Sequence, residues 1–238
     1  MIETVSFPTA FSTLTFRLTE GIGLLMLSTP PSNKMSPIFF REFDAVINQI
    51  KDDPAMKALV ISGAGRHFSS GADLSLLIEE IVRNDKLQDG RIEQTIPGSL
   101  CKNYQSFLAL EALPFPVIAA IRGVCLGSAL ELALFSHFRF CSEEAVFGLP
   151  ETTFNLIPGI GGMVRLLELS GKAVAVEYIL RGKTFDASEA RKIGLVDKLL
   201  PRHDLLPVAI DFAGKITANY HPAKKDRYLK NYFIHDQT

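Results

Sequence analysis

Two glutamates lie in apolar stretches of this sequence, and their positions call for a chemical explanation. Glu131 lies within the apolar stretch of residues 125–134, and Glu151 closes the short segment 147–151, each behind a glycine-bearing turn. A carboxylate among side chains that bury themselves loses its hydration, which is costly unless the group is paired or has a chemical task. We therefore expect Glu131 and Glu151 to form an acid/base pair.

Two glycine-bearing loops supply a second chemical feature through their backbone. Gly71-Ala72 and Gly127-Ser128 are each expected to follow a strand and to open a helix. Free backbone N–H groups at the positive end of a helix can hold an oxygen that becomes negative during a reaction. Each pair could equally be an ordinary helix cap. The residues by themselves therefore leave an oxyanion hole and two caps as alternatives.

Other candidates for chemistry are weaker. The run Gly159-Ile160-Gly161-Gly162 resembles part of a dinucleotide fingerprint but lacks the full GxGxxG register, so a tight turn that enters a helix is favoured. The five histidines form neither an HExxH motif nor a three-residue cluster, and no metal site is expected. Three loop serines lack the GxSxG context of a nucleophile and are expected to shape their loops. They are Ser69, Ser70 and Ser128.

The composition excludes several classes of protein. The 238 residues are 47% hydrophobic, enough for a sizeable core in one large domain, and the formal net charge is −1. Scattered charges give no bulk attraction to nucleic acid or to a membrane surface. No apolar run approaches the roughly 20 residues of a membrane span, and the N-terminus does not read as a signal peptide. Three cysteines without metal-ligand spacing favour reduced thiols in the cytoplasm.

The elements that would position these residues alternate between strand and helix. Glu20-Gly21 predicts a hairpin turn, and Ser36-Pro37 predicts the start of a helix. Residues 79–104 are irregular and are expected to be either a lid over a binding site or a solvated connector. The alternation predicts an α/β architecture with parallel strands. The strand-like segments are 14–18, 22–27, 58–62, 116–121, 137–141, 145–147 and 195–200, and the helix-like ones 37–50, 129–136, 188–193 and 204–216.

In order and spacing, these segments resemble the crotonase, or enoyl-CoA hydratase/isomerase, superfamily. The resemblance covers roughly residues 14–215. It implies a crotonase-like spiral of ββα units, with a core domain over residues 1–200 and a short C-terminal helical segment over residues 201–238. The matching segments are 58–63, 68–74, 116–123, 126–133, 147–151, 157–166 and 187–196.

The resemblance also implies the chemistry of the site. The backbone N–H groups of Ala72 and Ser128 would polarise the carbonyl of an acyl thioester, and both glutamates of the hydratase branch have counterparts, in Glu131 and Glu151. Retaining both implies syn addition of water to a 2-enoyl thioester through an enolate. Glu151 would be the protonating acid and Glu131 the base that orients the water. Further substrate contacts are expected from Ser70, Gly71, Asp73, Leu74 and Gly127.

The expected partners follow from the same resemblance. Coenzyme A would enter as part of the substrate, with no separate cofactor, and the chain would assemble as a homotrimer or hexamer. Other functions stay open for the sequence. They are an isomerase, decarboxylase or hydrolase of the same fold, an enzyme acting on acyl groups tethered to a carrier protein, and a non-catalytic scaffold.

Three positions depart from the family pattern. Gly127-Ser128-Ala129 stands where the family usually has a run of glycines, and its side chains are expected either to tilt the loop or to narrow the thioester slot. Asn155 replaces a common glycine, which is tolerable because Asn enters the left-handed region readily. The chain ends at Thr238, before the family's further helices, which predicts a weaker hold on the nucleotide or a carrier-bound substrate. A basic cluster near that end, or a solvated helix face, is formed by Lys224, Lys225, Arg227 and Lys230.

Overall fold

The computed structural model describes residues 11–73, 75–76, 79, 87–88, 91–92 and 98–218. Three sequence predictions lie wholly or largely outside these residues. They are the substrate contact of Leu74, most of the irregular segment 79–104, and the basic cluster of Lys224, Lys225, Arg227 and Lys230.

The described chain opens with the predicted hairpin. Strand β1 (Leu14–Thr19) pairs antiparallel with β2 (Ile22–Leu27). Glu20 and Gly21 form the turn with φ of 54° and 86°. Positive φ at both central residues is typical of two-residue hairpin loops, because their twist matches that of the flanking strands.

Four strands join this hairpin in a six-stranded sheet, namely β3 (Ala58–Gly63), β6 (Val117–Ile121), β8 (Phe138–Ser142) and β11 (Lys198–Leu200). The order across the sheet is β1-β2-β3-β6-β8-β11. Every pair from β2 onward is parallel, as the sequence predicted. The central strands are buried along their whole length, which explains the near-continuous apolar sequences of β3 and β6.

Helices cover both faces of this sheet. Helix α1 (Pro37–Ile50) begins where predicted, because the Ser36 hydroxyl accepts from the Phe39 N–H and proline occupies the first turn. Helix α2 (Gly98–Glu111) packs beside it. On the opposite face, α7 (Leu205–Thr217) lays Ala209 and Ala213 against β3 and β6. The small side chains let the helix approach the strands closely.

A second layer of short elements holds the candidate residues. A three-stranded sheet contains β7 (Val124–Leu126), β9 (Val146–Gly148) and β10 (Phe185–Asp186). Separately from this layer, β4 (Leu87–Gln88) pairs antiparallel with β5 (Arg91–Ile92). The helices of the second layer are α3 (Ser128–Leu134), a 3₁₀ helix (Pro150–Phe154), α4 (Gly162–Ser170), α5 (Lys172–Arg181) and α6 (Ala187–Lys192).

Candidate active site

Glu131 lies in the middle of α3, where every residue is buried, and only 1% of its surface is exposed. Its Oε1 accepts hydrogen bonds from the backbone N–H groups of Ile160 at 2.8 Å and Gly162 at 2.9 Å. A Cβ at position 162 would lie 2.6 Å from the Glu131 Cγ, so only glycine fits there. The carboxylate is therefore fixed by two amides from a distant turn.

The turn over residues 159–162 enters α4, as the sequence predicted, with Gly161 at φ 91°. The sequence did not reveal that this turn binds a carboxylate. The available signal was the helix start itself, because successive N–H groups at a positive-φ turn and a helix N-terminus favour an anion.

Glu151 lies at the start of the 3₁₀ helix and is half-buried. Its Oε2 is buried and has no hydrogen-bond partner among the described residues. Its Oε1 faces Gly127, where an added Cβ would lie 3.0 Å away. Asn155 caps the C-terminus of the 3₁₀ helix, and its φ of 56° shows the left-handed conformation expected of it.

Burial raises the pKa of both carboxyl groups to about 7. For Glu131, the nearby Glu151 raises the pKa further, while the two N–H donors oppose the rise. For Glu151, a hydrogen bond with its own backbone opposes the effect of burial. Two interacting carboxyls with pKa values near neutrality can exchange a proton with a substrate at physiological pH.

The two loops proposed as an oxyanion hole meet beside these carboxyls. A Cβ at Gly71, which has φ 86°, would lie 2.5 Å from the Leu126 carbonyl oxygen and 3.3 Å from the Ser128 nitrogen. Glycine therefore lets the 70–73 loop approach the start of α3. Ser128 is the first residue of α3, where backbone N–H groups have no partner within the helix.

The amide of Ala72 is oriented by a β-bridge rather than by a helix start, which differs from the sequence prediction. Met35 donates its N–H to the Gly71 carbonyl at 2.9 Å, and Asp73 donates to the Met35 carbonyl at 3.2 Å. In a parallel bridge these flanking groups make the hydrogen bonds, so the N–H of Ala72 points to the other side. Helical residues begin only at Ser75 among those described.

Serines brace the same loop. The Ser69 hydroxyl donates to the Asn33 carbonyl at 2.6 Å and accepts from the Gly71 N–H at 3.0 Å. The Ser70 N–H donates to the Ser32 carbonyl at 2.9 Å. Ser69 and Ser70 therefore help to shape the loop, as expected.

Two cavities meet at the paired amides. The smaller, of about 370 Å³, contains both carboxyls. The larger, of about 590 Å³, runs between α1 and α2 and includes Asp73. Four residues line both, namely Ala72, Leu100, Ser128 and Ile160. The predicted residues in the smaller cavity are Ser70, Ala72, Gly127, Ser128, Glu131 and Glu151.

Two histidines and two cysteines in the described chain have structural surroundings. His137 accepts from the Val117 N–H, and His67 accepts from the Val124 N–H. Cys125 and Cys141 are buried, and burial raises the pKa of the Cys141 thiol to about 12. Across the described ranges, no group of three His, Cys, Asp or Glu residues could hold a metal ion. Nor is any described helix both long enough and apolar enough to cross a membrane.

Sequence comparison finds relatives over most of the chain. The family model for enoyl-CoA hydratase/isomerase matches residues 17–236. A Bacillus subtilis protein, provisionally named enoyl-CoA hydratase/isomerase YngF, is 38% identical over 202 residues, covering 84% of this chain and 74% of that protein. Fatty acid oxidation complex subunit alpha of Shewanella loihica is 38% identical over 216 residues, which are 89% of this chain and 29% of the subunit. The chain thus spans less than a third of that relative.

Solved structures give the same result for the fold. An enoyl-CoA hydratase from Bacillus anthracis has a TM-score of 0.81 and 30% identity, covering 95% of this chain and 84% of that one. DspI of Pseudomonas aeruginosa has a TM-score of 0.81 and 28% identity, covering 94% of this chain and 86% of that one. The predicted crotonase fold is confirmed.

Proposed function

The chain belongs to the enoyl-CoA hydratase/isomerase family, and we propose that it adds water to the double bond of a 2-enoyl-CoA thioester. One observation carries the proposal. Two carboxyls with pKa values near 7 line one small cavity beside the backbone amides of Ala72 and Ser128. Water addition needs a base for the water, an acid for the α-carbon and donors for the enolate oxygen, and these four groups can supply all of them.

In the proposed reaction, the thioester oxygen accepts hydrogen bonds from the amides of Ala72 and Ser128. Glu131 takes a proton from water, whose oxygen forms a bond with the β-carbon. The electrons of the double bond move to the carbonyl and give an enolate. Glu151 then donates its proton to the α-carbon as the carbonyl re-forms. The pair begins with Glu131 ionised and Glu151 protonated, ends with the reverse, and is reset by exchange with solvent.

The surroundings of the two carboxyls support these roles. Backbone N–H donors favour the ionised form of a carboxyl, and Glu131 has two of them. Glu151 has a buried oxygen without a partner among the described residues, which favours the protonated form. Glu131 is therefore assigned as the base and Glu151 as the acid.

The two cavities support an assignment of the two arms of the substrate. The α- and β-carbons must lie near the carboxyls, which places the acyl group in the smaller cavity beside Phe154, Leu156 and Ile157. The arm on the sulfur side then enters the larger cavity, whose wall carries more polar side chains, Asn103 and Gln105 among them. Those side chains suit the amides of a pantetheine group. In this proposal, coenzyme A enters as part of the substrate and not as a separate cofactor.

The proposal is tested with crotonyl-CoA, longer 2-enoyl-CoAs, 3-enoyl-CoAs and crotonyl-pantetheine. Loss of the conjugated thioester with formation of the 3-hydroxyacyl product is expected. Migration of the double bond without hydration would identify an isomerase instead. Activity on pantetheine thioesters alone would favour a carrier-bound substrate, and inactivity on every compound would refute catalysis of this class.

Self-association is a further part of the proposal. Six large apolar side chains on the 3₁₀ helix, the loop after it, α4 and α5 are each 44–71% exposed, and exposed apolar side chains that lie together usually mark contacts with another protein. A homotrimer or hexamer would cover these side chains, and sedimentation analysis would measure the assembly. The six residues are Phe154, Ile157, Val164, Leu167, Val176 and Leu180.

The cytoplasm is the proposed location. The three thiols, Cys101, Cys125 and Cys141, are all free. Free thiols are typical of a reducing compartment. Fractionation of cells that express the tagged protein would test this.

A further inference from the structure

Helices α3 and α4 contact each other at two successive levels. At the first, Gly162 packs against the Glu131 side chain and binds its carboxyl. At the second, the Arg165 guanidinium lies 4.7 Å above the centre of the Phe135 ring. Phe135 follows Glu131 by four residues, and Arg165 donates its backbone N–H to the carbonyl of Gly161. The second contact is thus one helical turn beyond the first.

Arg165 also forms ion pairs with two carboxylates of different kinds. Glu111 is the last residue of α2, so this pair joins two distant elements. The Glu111 backbone carbonyl also contacts His137 at 3.0 Å, which helps to fix it. Glu168 is on the same helix as Arg165, with its Oε2 2.5 Å from Nη1, and its side chain is 50% exposed. Exposed pairs within one helix contribute little to structure.

The three helices converge directly below the turn that binds Glu131. A Cβ at Gly161 would lie 2.7 Å from the Tyr104 ring and 2.8 Å from the Phe135 ring, so the turn rests on both aromatics. Tyr104 belongs to α2, and its ring packs edge-on against Phe135 with centroids 6.0 Å apart. The ion pair of Arg165 with Glu111 joins α4 to α2, and the stacking of Arg165 on Phe135 joins α4 to the end of α3. Arg165 therefore holds in place the two aromatic rings against which the turn packs.

We propose that Arg165 is a positioning residue for Glu131. Together with Glu111 and Phe135, it holds the first turn of α4 so that the amides of Ile160 and Gly162 remain directed at the Glu131 carboxyl. The inference rests on the proposed function for its kinetic consequences. Among the described residues, the linings of the two cavities do not include Arg165, so its effect on the reaction is indirect.

The position of Arg165 predicts a separation of kinetic constants. If the first turn of α4 shifts, Glu131 loses donors that stabilise its ionised form and is no longer held towards the water. The chemical step then slows. Substrate binding changes less, because Gly159 and Ile160 are the residues of that turn that line the cavities and the rest of the lining stays in place. The pKa of Glu131 rises, because hydrogen bonds to the carboxylate keep it low. Glu151 also acts on this pKa, and it is left in place.

Glu111→Gln and Glu168→Gln form a matched pair for the test. Each removes one carboxylate partner of Arg165 and the same charge. Glu111→Gln is expected to lower kcat about tenfold, with KM within about twofold, and to move the acidic limb of the pH–rate profile upward by about half a pH unit. Glu168→Gln is expected to stay within about twofold of the wild type. Removing the negative charge of Glu111 would by itself lower the pKa of Glu131. An increase in that pKa therefore identifies a displacement of the Glu131 carboxyl from its N–H donors.

The proposal would be overturned if Glu111→Gln kept the wild-type kcat and pH profile. It would also be overturned if Glu111→Gln and Glu168→Gln had equal effects. If Glu111→Gln does not fold, Arg165→Lys keeps the charge but loses the planar two-sided contact, and the same changes are expected. Titration of the Glu131 carboxyl by infrared difference spectroscopy, assigned with Glu131→Gln, requires no activity. An inactive wild type would refute the proposed function, whereas an unchanged Glu131 titration in both Glu111→Gln and Arg165→Lys would refute positioning.

Discussion

The two carboxyls of the site have similar pKa values in different surroundings. Glu131 is 1% exposed, inside a helix, and is bound by two amides from a turn 29 to 31 residues away. Glu151 is half-buried in a 3₁₀ helix, with one oxygen lacking a partner among the described residues. For Glu131, two backbone N–H donors oppose the rise in pKa that burial causes. For Glu151, only a hydrogen bond with its own backbone does so. Equal acidity therefore does not mean equal roles, because the surroundings decide which group keeps the proton.

The largest expected effect comes from removing either carboxyl. Glu131→Gln and Glu151→Gln should each lower kcat at least about 100-fold, the lower range for a positioned acid or base. Steady-state kinetics on the best 2-enoyl thioester provides the measurement. Glu177→Gln, which removes a carboxylate paired with Arg181 on the surface of α5, is the control. A wild-type kcat in either site variant, with folding verified by circular dichroism, would rule out a paired mechanism.

The next largest effect is expected from a change that disturbs the surroundings of Glu131 and leaves those of Glu151 in place. In Gly162→Ala, the new Cβ would lie 2.6 Å from the Glu131 Cγ and would displace the carboxyl from its donors. We expect kcat to fall about 10- to 100-fold. Gly98→Ala is the control, because nothing lies within 4 Å of an added Cβ there and the position begins a helix. Equal activity of the two variants would show that the amides do not matter for Glu131.

The pH dependence should show both carboxyls in the wild type. With both pKa values at about 7, kcat/KM should form a narrow bell centred near neutrality. The acidic limb reflects protonation of Glu131 and the basic limb ionisation of Glu151. Residual activity of Glu151→Gln should lack the basic limb, and that of Glu131→Gln should lack the acidic one. The opposite pattern would reverse the two roles.

The smallest expected effect concerns stability. The pKa of Glu131 is raised by folding from 4.5 to about 7, so its contribution is most favourable below 4.5 and is lost as pH rises through 7. Glu131→Gln can still accept from both amides but carries no charge. Its free energy of unfolding should exceed that of the wild type by about 3 kcal/mol at pH 8, with little difference at pH 4. Denaturation at both pH values tests this, and an equal gain at pH 4 would exclude ionisation as the cause.

Local chemistry made much of the fold readable from the sequence. The Glu20-Gly21 turn, the Ser36 cap and the left-handed Asn155 each follow from the conformational preferences of single residues, and the structure confirms them. The apolar runs of the central strands likewise indicated parallel, buried pairing. These features depend on neighbours in the chain, which a sequence displays directly.

Contacts made by backbone groups far away in the sequence could not be predicted. Nothing in the side chains of Ile160 and Gly162 indicates that their amides bind Glu131, since every residue except proline carries the same N–H. The bridge between Met35 and Ala72 is hidden for the same reason. The sequence thus pointed to the carboxyls, while their difference in surroundings emerged only from the folded chain.

The assignment of roles is tested most directly by exchange at the α-carbon. A saturated thioester such as butyryl-CoA cannot add water, but the residue facing its α-carbon can still exchange that proton with D₂O. Glu131→Gln should therefore retain α-deuteration within about tenfold of the wild type while hydration is lost, and Glu151→Gln should lose both. Loss of exchange in Glu131→Gln with retention in Glu151→Gln would contradict the assignment of Glu131 as base and Glu151 as acid.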